Sequence, residues 1–249
     1  LAARFRVLSV DARGFGESDL RDRAKASDDG PSAPYTLTDL ADDVAALLDA
    51  LAVERAAVVG MSMGGYTALA FAARHRARLA ALVLADTRAA ADTLEVRAKR
   101  DEALATIHAR GAAAYLDGSL ARLLSPRAAP ALLAHVRAHA ESRSDSLVAG
   151  VEALRDRPDR TAELAAIACP ALVICGADDQ VTPAAEMRSM AGAIGIAGPA
   201  ARGARYLELA GAGHLCHLEA PQGFTTAVGA FLADALGDLG DALRGWSAS

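Results

Sequence analysis

Cysteine is scarce. Cys169, Cys175 and Cys216 are the only three in 249 residues. Three scattered thiols build neither a disulfide framework nor a zinc site, and no Cys-x-x-Cys pair occurs. A reducing cytoplasm is the compartment that fits. No apolar run reaches the roughly 18 residues of a membrane-spanning helix, and no secretory leader is visible. A large surplus of either charge is also missing. The 26 Lys and Arg against 31 Asp and Glu leave a net −5, which argues against a nucleic-acid partner. No repeat or linker divides the chain, so one large domain, or one carrying an insertion, is expected. What is abundant is apolar residues, 53% of the total and much of it alanine. That is enough for a buried core filled by small side chains and many helices.

The stretch that organises the rest is Ala56-Ala57-Val58-Val59-Gly60-Met61-Ser62-Met63-Gly64-Gly65. Small and branched apolar residues run into Gly-x-Ser-x-Gly, and Tyr66 to Arg74 then reads as a helix. This predicts a strand, a sharp turn and a helix, with Ser62 at the apex in a strained backbone and its hydroxyl lifted clear of the sheet. Gly60 and Gly64 are expected to be glycine because side chains there would collide with the neighbouring strand and helix. The helix aims its first N–H groups at the serine, so the Met63 N–H can donate to a developing oxyanion. Met61, on the other flank, is expected to line the acyl pocket.

Taken in order, Phe5 to Val10 reads as a buried strand and Asp11 to Asp19 as a glycine-punctuated loop. Arg21 to Pro34 is polar and turn-rich, a surface excursion. Thr36 or Thr38 caps a helix running to about Leu51. A further strand covers Leu79 to Ala85, closed by Asp86-Thr87. Alternating strands and helices point to an α/β class with a parallel sheet and crossover helices. From 88 to 160 the pattern changes to helices punctuated by Gly111, Pro126 and Pro130. The expected organisation is therefore a sheet domain of residues 1–87 and 161–249, with an inserted helical cap at 88–160 that closes over the serine. The parallel pattern returns with a strand at 171–175, a helix from Pro183 or Ala184, and a loop over 194–205. A last strand at 204–209 and a helix from about Pro221 to Leu236 follow, and the tail 237–249 is read as frayed.

A serine hydroxyl needs a base within reach, and the base needs an orienting carboxylate. Parallel strands end on one sheet edge, so loops after separate strands converge there. Three loops qualify: one with Ser62, one with Asp178 and Asp179, and one with His214. Asp86 ends another strand and is a third carboxylate candidate, although a capping or loop role suits it better. His217 reads as a loop or pocket-rim residue, and His75, His108, His135 and His139 as surface or packing residues. Cys175 and Cys216 read as packing residues.

Four pieces carry a resemblance: Asp11-x-Arg13-Gly14-x-Gly16-x-Ser18, Gly60-Met-Ser62-Met-Gly64-Gly65, Gly176-x-x-Asp179-x-x-x-Pro183 and Gly213-His214-x-x-x-Leu218-Glu219-x-Pro221. Together they make the chain similar to α/β-hydrolases of the esterase/lactonase branch, among them 3-oxoadipate enol-lactonases and carboxylesterases. The resemblance implies Ser62 as nucleophile, His214 as base and Asp179, three residues past the strand-end glycine, as the orienting acid. The family places about three strands ahead of the equivalent of 5–10, and the loop after the third supplies a second oxyanion donor. The chain is therefore expected to be N-terminally truncated relative to that pattern.

The expected activity is hydrolysis of a small carboxylic ester or lactone through an acyl-enzyme, with no metal or organic cofactor and no membrane partner. A cofactor-free haloperoxidase or perhydrolase, and a weakly catalytic ligand-binding or signalling protein of the same fold, are the alternatives. Arg88, Arg97 and Arg100 could meet a substrate carboxylate, although solvated roles suit so Arg-rich a region better. Assembly into a homo-oligomer stays open.

Overall fold

The computed structural model of the protein describes residues 1–20, 35–140, 143–195, 197 and 203–237. The expected excursion at 21–34, most of the loop at 194–205 and all but Gly237 of the tail lie outside the described residues.

Four strands, β1 (Ala56–Met61), β2 (Leu79–Ala85), β3 (Ala171–Gly176) and β4 (Arg205–Leu209), form one all-parallel sheet in the order β1-β2-β3-β4. β3 is buried along its whole length and β2 along all but one residue. Burial on both faces explains why these strands read as continuous apolar runs. Successive side chains point to opposite faces. Leu82, Leu84, Val173 and Cys175 pack on one side against α1 (Leu37–Ala50), α2 (Met63–Arg74) and α6 (Ala184–Ala193). Ala81, Val83, Ala85, Leu172 and Ile174 pack on the other against Val228, Phe231 and Leu232 of α8 (Pro221–Leu236). The result is a helix/sheet/helix sandwich. A single turn, α7 (Cys216–Glu219), leads into α8.

Thr36, not Thr38, starts α1. Its hydroxyl accepts from the Asp39 N–H at 3.1 Å while the Asp39 carboxylate accepts from the Thr36 N–H at 2.8 Å, a reciprocal cap. Helices also fill the stretch between β2 and β3: α3 (Leu94–Ser119), interrupted at Gly111 with φ 80°, then α4 (Pro130–His139) and α5 (Ser144–Arg155). α5 docks through Ala149 and Ala153 onto Tyr35 just ahead of α1, onto Leu37 and Leu40 at the start of α1, and onto Tyr66 of α2. Among the described residues no helix is long and apolar enough to cross a membrane.

One expected element does not form. Phe5–Val10 is irregular, with Val7, Leu8 and Val10 exposed at 51%, 41% and 50%. A strand exists through its ladder, not through side-chain preference alone. Among the described residues β1 pairs with β2 only, and nothing pairs with 5–10. The loop that follows does take shape. Arg13 grips Asp43 of α1 at 2.5 and 2.6 Å, and the Gly14 carbonyl accepts from Arg143 at 3.0 Å.

Candidate active site

β1 runs straight into α2, and Ser62 is the residue between them, with φ 49° and ψ −113°. A non-glycine residue in this region is strained by about 1–3 kcal/mol. Neighbouring bonds hold it there. The Ser62 N–H donates to the Ala85 carbonyl at 2.9 Å, and the Ser62 carbonyl accepts from the Thr87 hydroxyl at 2.9 Å.

The glycines around the turn differ from expectation. A Cβ on Gly60 would lie 2.2 Å from the Gly64 carbonyl oxygen, so Gly60 is obligatory. Gly64, expected to be equally crowded, is exposed, and a Cβ there would meet no neighbouring atom within 4 Å. The cramped position is Gly65, where a Cβ would sit 2.5 Å from the Thr87 side chain. The close packing of α2 against the end of β2 falls one residue later than the Gly-x-Ser-x-Gly pattern suggests.

His214 follows β4 and Asp179 follows β3, and both loops close on Ser62. The His214 Nε2 lies 2.9 Å from the Ser62 Oγ, and the His214 Nδ1 lies 2.9 Å from the Asp179 Oδ2. His214 and Asp179 are 3% and 7% exposed. The Asp179 carboxylate also accepts from the Val181 N–H at 2.7 Å, from the Thr182 N–H at 3.0 Å and from the Thr182 hydroxyl. Burial pushes its pKa up, but the His214 imidazole and the Thr182 donors outweigh burial and hold the carboxyl below the usual range. The acid is thus ionised and aimed at Nδ1, which leaves Nε2 toward the hydroxyl. Met63 is the first residue of α2, so its N–H has no acceptor within the helix and stands at the positive end of the dipole beside Ser62.

Asp178 faces elsewhere. Its Oδ2 accepts from the Ser125 hydroxyl at 2.9 Å and from Arg127 at 2.6 Å, and the Arg127 guanidinium holds its pKa low. Met61 packs against the cluster under α8, while Met63 packs with Tyr35 and Tyr66 on the opposite side. His217 is half-buried edge-on to Phe224, and burial, with the nearby His214, lowers its pKa. His75 pairs with Asp42 at 2.7 Å. The three arginines considered for a substrate carboxylate all have protein partners. Arg88 binds the Val181 carbonyl and lies 3.4 Å from Glu186, Arg97 lies 3.1 Å from Asp156, and Arg100 lies 3.2 Å from Asp92.

Asp86 sits beneath the site with no exposure and a positive φ of 43°. Its Oδ1 accepts from the Gly176 N–H at 2.9 Å, so it ties the end of β2 to the end of β3. Burial pushes its pKa up to about 7, against the pull of the Cys216 thiol and the Gly176 N–H. A carboxyl whose pKa is higher folded than unfolded holds its proton more tightly when folded. Its penalty is absent below about pH 4, grows as pH climbs from about 4 to 7, and is constant above. Asp86→Asn keeps the acceptor and deletes the ionisation. Its stability relative to wild type is expected to rise by about 2–3 kcal/mol between pH 5 and pH 8. Urea midpoints of both proteins at the two pH values measure this, and a pH-independent difference would contradict a raised pKa.

A family model described as the alpha/beta hydrolase fold matches residues 1–221. RutD of Caulobacter sp. (strain K31), provisionally named a carbamate hydrolase, is 32% identical over 94% of this chain and 82% of its own length. The 3-oxoadipate enol-lactonase 1 of Acinetobacter baylyi is 28% identical over 93% of this chain and 80% of its own. The solved structure of a thermophilic esterase from Thermogutta terrifontis superposes with a TM-score of 0.78 at 31% identity, covering 90% of this chain and 78% of that one.

Proposed function

This chain belongs to the α/β-hydrolase fold family, and we propose that it is a serine hydrolase that cleaves a small carboxylic ester or lactone through an acyl-enzyme. The observation that carries the reading is the unbroken hydrogen-bond chain from the Ser62 Oγ through the His214 imidazole to the Asp179 carboxylate, 2.9 Å at each step.

In this reading the Ser62 Oγ attacks the acyl carbon as its proton passes to the His214 Nε2. The carbonyl oxygen becomes an oxyanion and takes a hydrogen bond from the Met63 N–H. His214 then gives the proton to the departing alkoxide, leaving Ser62 acylated. Water, deprotonated by the same nitrogen, attacks the ester, and the proton returns to Ser62 as the acid leaves. Asp179 fixes the tautomer throughout and offsets the imidazolium charge. Residues 88–160 are the proposed cap, and Met61 is proposed to line the acyl side of the pocket.

The likeness to RutD favours one second reading, a carbamate substrate, which the same acyl-transfer steps serve. Competing p-nitrophenyl butyrate, a γ-lactone and a p-nitrophenyl N-alkylcarbamate on the purified chain separates the two. The ester or lactone is expected to exceed the carbamate in kcat/KM by about tenfold or more. The reverse ranking would give the site to carbamates. Mass spectrometry after fluorophosphonate treatment is expected to find a single adduct on Ser62, and an unmodified Ser62 would end both readings.

A further inference from the structure

Glu219 stands in the stretch Gly213–Pro221, and the chemistry above makes no use of it. Its carboxylate takes two backbone donors, one on each oxygen. Oε1 accepts from the Gly213 N–H at 2.8 Å and Oε2 from the Ser125 N–H at 2.7 Å. Gly213 immediately precedes His214. Ser125, 4% exposed, lies between the 3₁₀ turn at Leu120–Leu123 and α4. On the far side of the histidine the Leu215 N–H donates to the Leu123 carbonyl at 3.1 Å. The backbone on both sides of His214 is thus tied to one short piece of the helical region, directly at 215 and through Glu219 at 213. The fit leaves no slack, since a Cβ on Gly213 would lie 2.4 Å from the Ser125 nitrogen.

We propose that Glu219 is a positioning residue for His214: it pins the histidine loop to residues 123–125, so that the imidazole is held in register with Ser62 by the helical region lying beside it. The proposal rests on the serine-hydrolase reading. The imidazole takes a proton from one oxygen and delivers it to another, and a displacement of about 1 Å costs such a step about 100-fold. A carboxylate is the group required, because both partners are donors. A glutamine of the same shape would turn its NH₂ toward one of them and lose that bond.

The test compares Glu219→Gln with wild type, in the full chain, by steady-state hydrolysis of p-nitrophenyl butyrate and by the rate of fluorophosphonate labelling. Rates are divided by the concentration of labelled sites, so that misfolded protein does not count. The expected result is a fall in kcat of about 10- to 100-fold with KM within about twofold, and a parallel fall in labelling rate. A purely architectural residue would lower the number of sites and leave kcat per site intact, and that outcome would overturn the proposal. If Glu219→Gln yields no folded protein, Glu219→Asp keeps the charge but reaches only one donor. The same fall in kcat per site is then expected, and an unchanged value is again fatal. A wild type that neither labels nor turns over would overturn the hydrolase reading and this proposal with it. A labelled wild type matched by an equally fast Glu219→Gln would overturn the proposal alone.

Discussion

Ser62→Ala is expected to lower kcat on p-nitrophenyl butyrate by about 10⁴- to 10⁶-fold while KM stays within a few-fold of wild type. In the proposed mechanism the Ser62 Oγ, 2.9 Å from the His214 Nε2, is the atom that is acylated, and the methyl group of alanine leaves the rest of the turn in place. What activity remains comes from binding and from the Met63 N–H, which still polarise the carbonyl for attack by water. The burst of p-nitrophenol expected from wild type, stoichiometric with enzyme, disappears in the variant because no acyl-enzyme forms. Equal steady-state rates for the two proteins would remove Ser62 from the mechanism.

Asp179→Asn carries the second large effect, a fall in kcat of about 10⁴-fold. An amide placed against Nδ1 can present its NH₂ there, which favours the tautomer with the proton on Nε2 and so blocks the base. That NH₂ would also replace the oxygen that accepts from the Thr182 hydroxyl, while the other oxygen keeps the Val181 and Thr182 N–H donors. Asp178→Asn is the control from the adjacent position. Its side chain pairs with Ser125 and with Arg127, which is 72% exposed, so its loss is worth little and kcat is expected to hold within about threefold. Steady-state kinetics of the two variants side by side decides between the carboxylates, and the opposite ranking would transfer the orienting role to Asp178.

The parts of this protein that could be read without coordinates are those whose cause is local. β2 spans Leu79–Ala85 and α8 spans Pro221–Leu236, as expected, because each is a long patterned run bounded by a turn residue or a proline. The convergence of Ser62, Asp179 and His214 was legible for a related reason: in a parallel sheet, position at a strand's end dictates position in space. What escaped was whatever depends on a distant neighbour. Phe5–Val10 has the composition of a strand, but composition does not supply a ladder. Gly64 and Gly65 are equivalent in the sequence, and only the Thr87 side chain, which closes on the second, separates them. Glu219 was visible as part of a motif, yet its partner Ser125 lies 94 positions away and no pattern joins them. The Asp86–Gly176 tie, across 90 positions, escaped in the same way.

If Ser62 is the nucleophile proposed above, its left-handed backbone turns reactivity into a standing handicap for the native fold. Glycine at that point would adopt the same angles freely. Any laboratory evolution scheme that rewards heat resistance without checking turnover will therefore drift toward erasing the hydroxyl. Libraries built on this scaffold need a catalytic screen in every round.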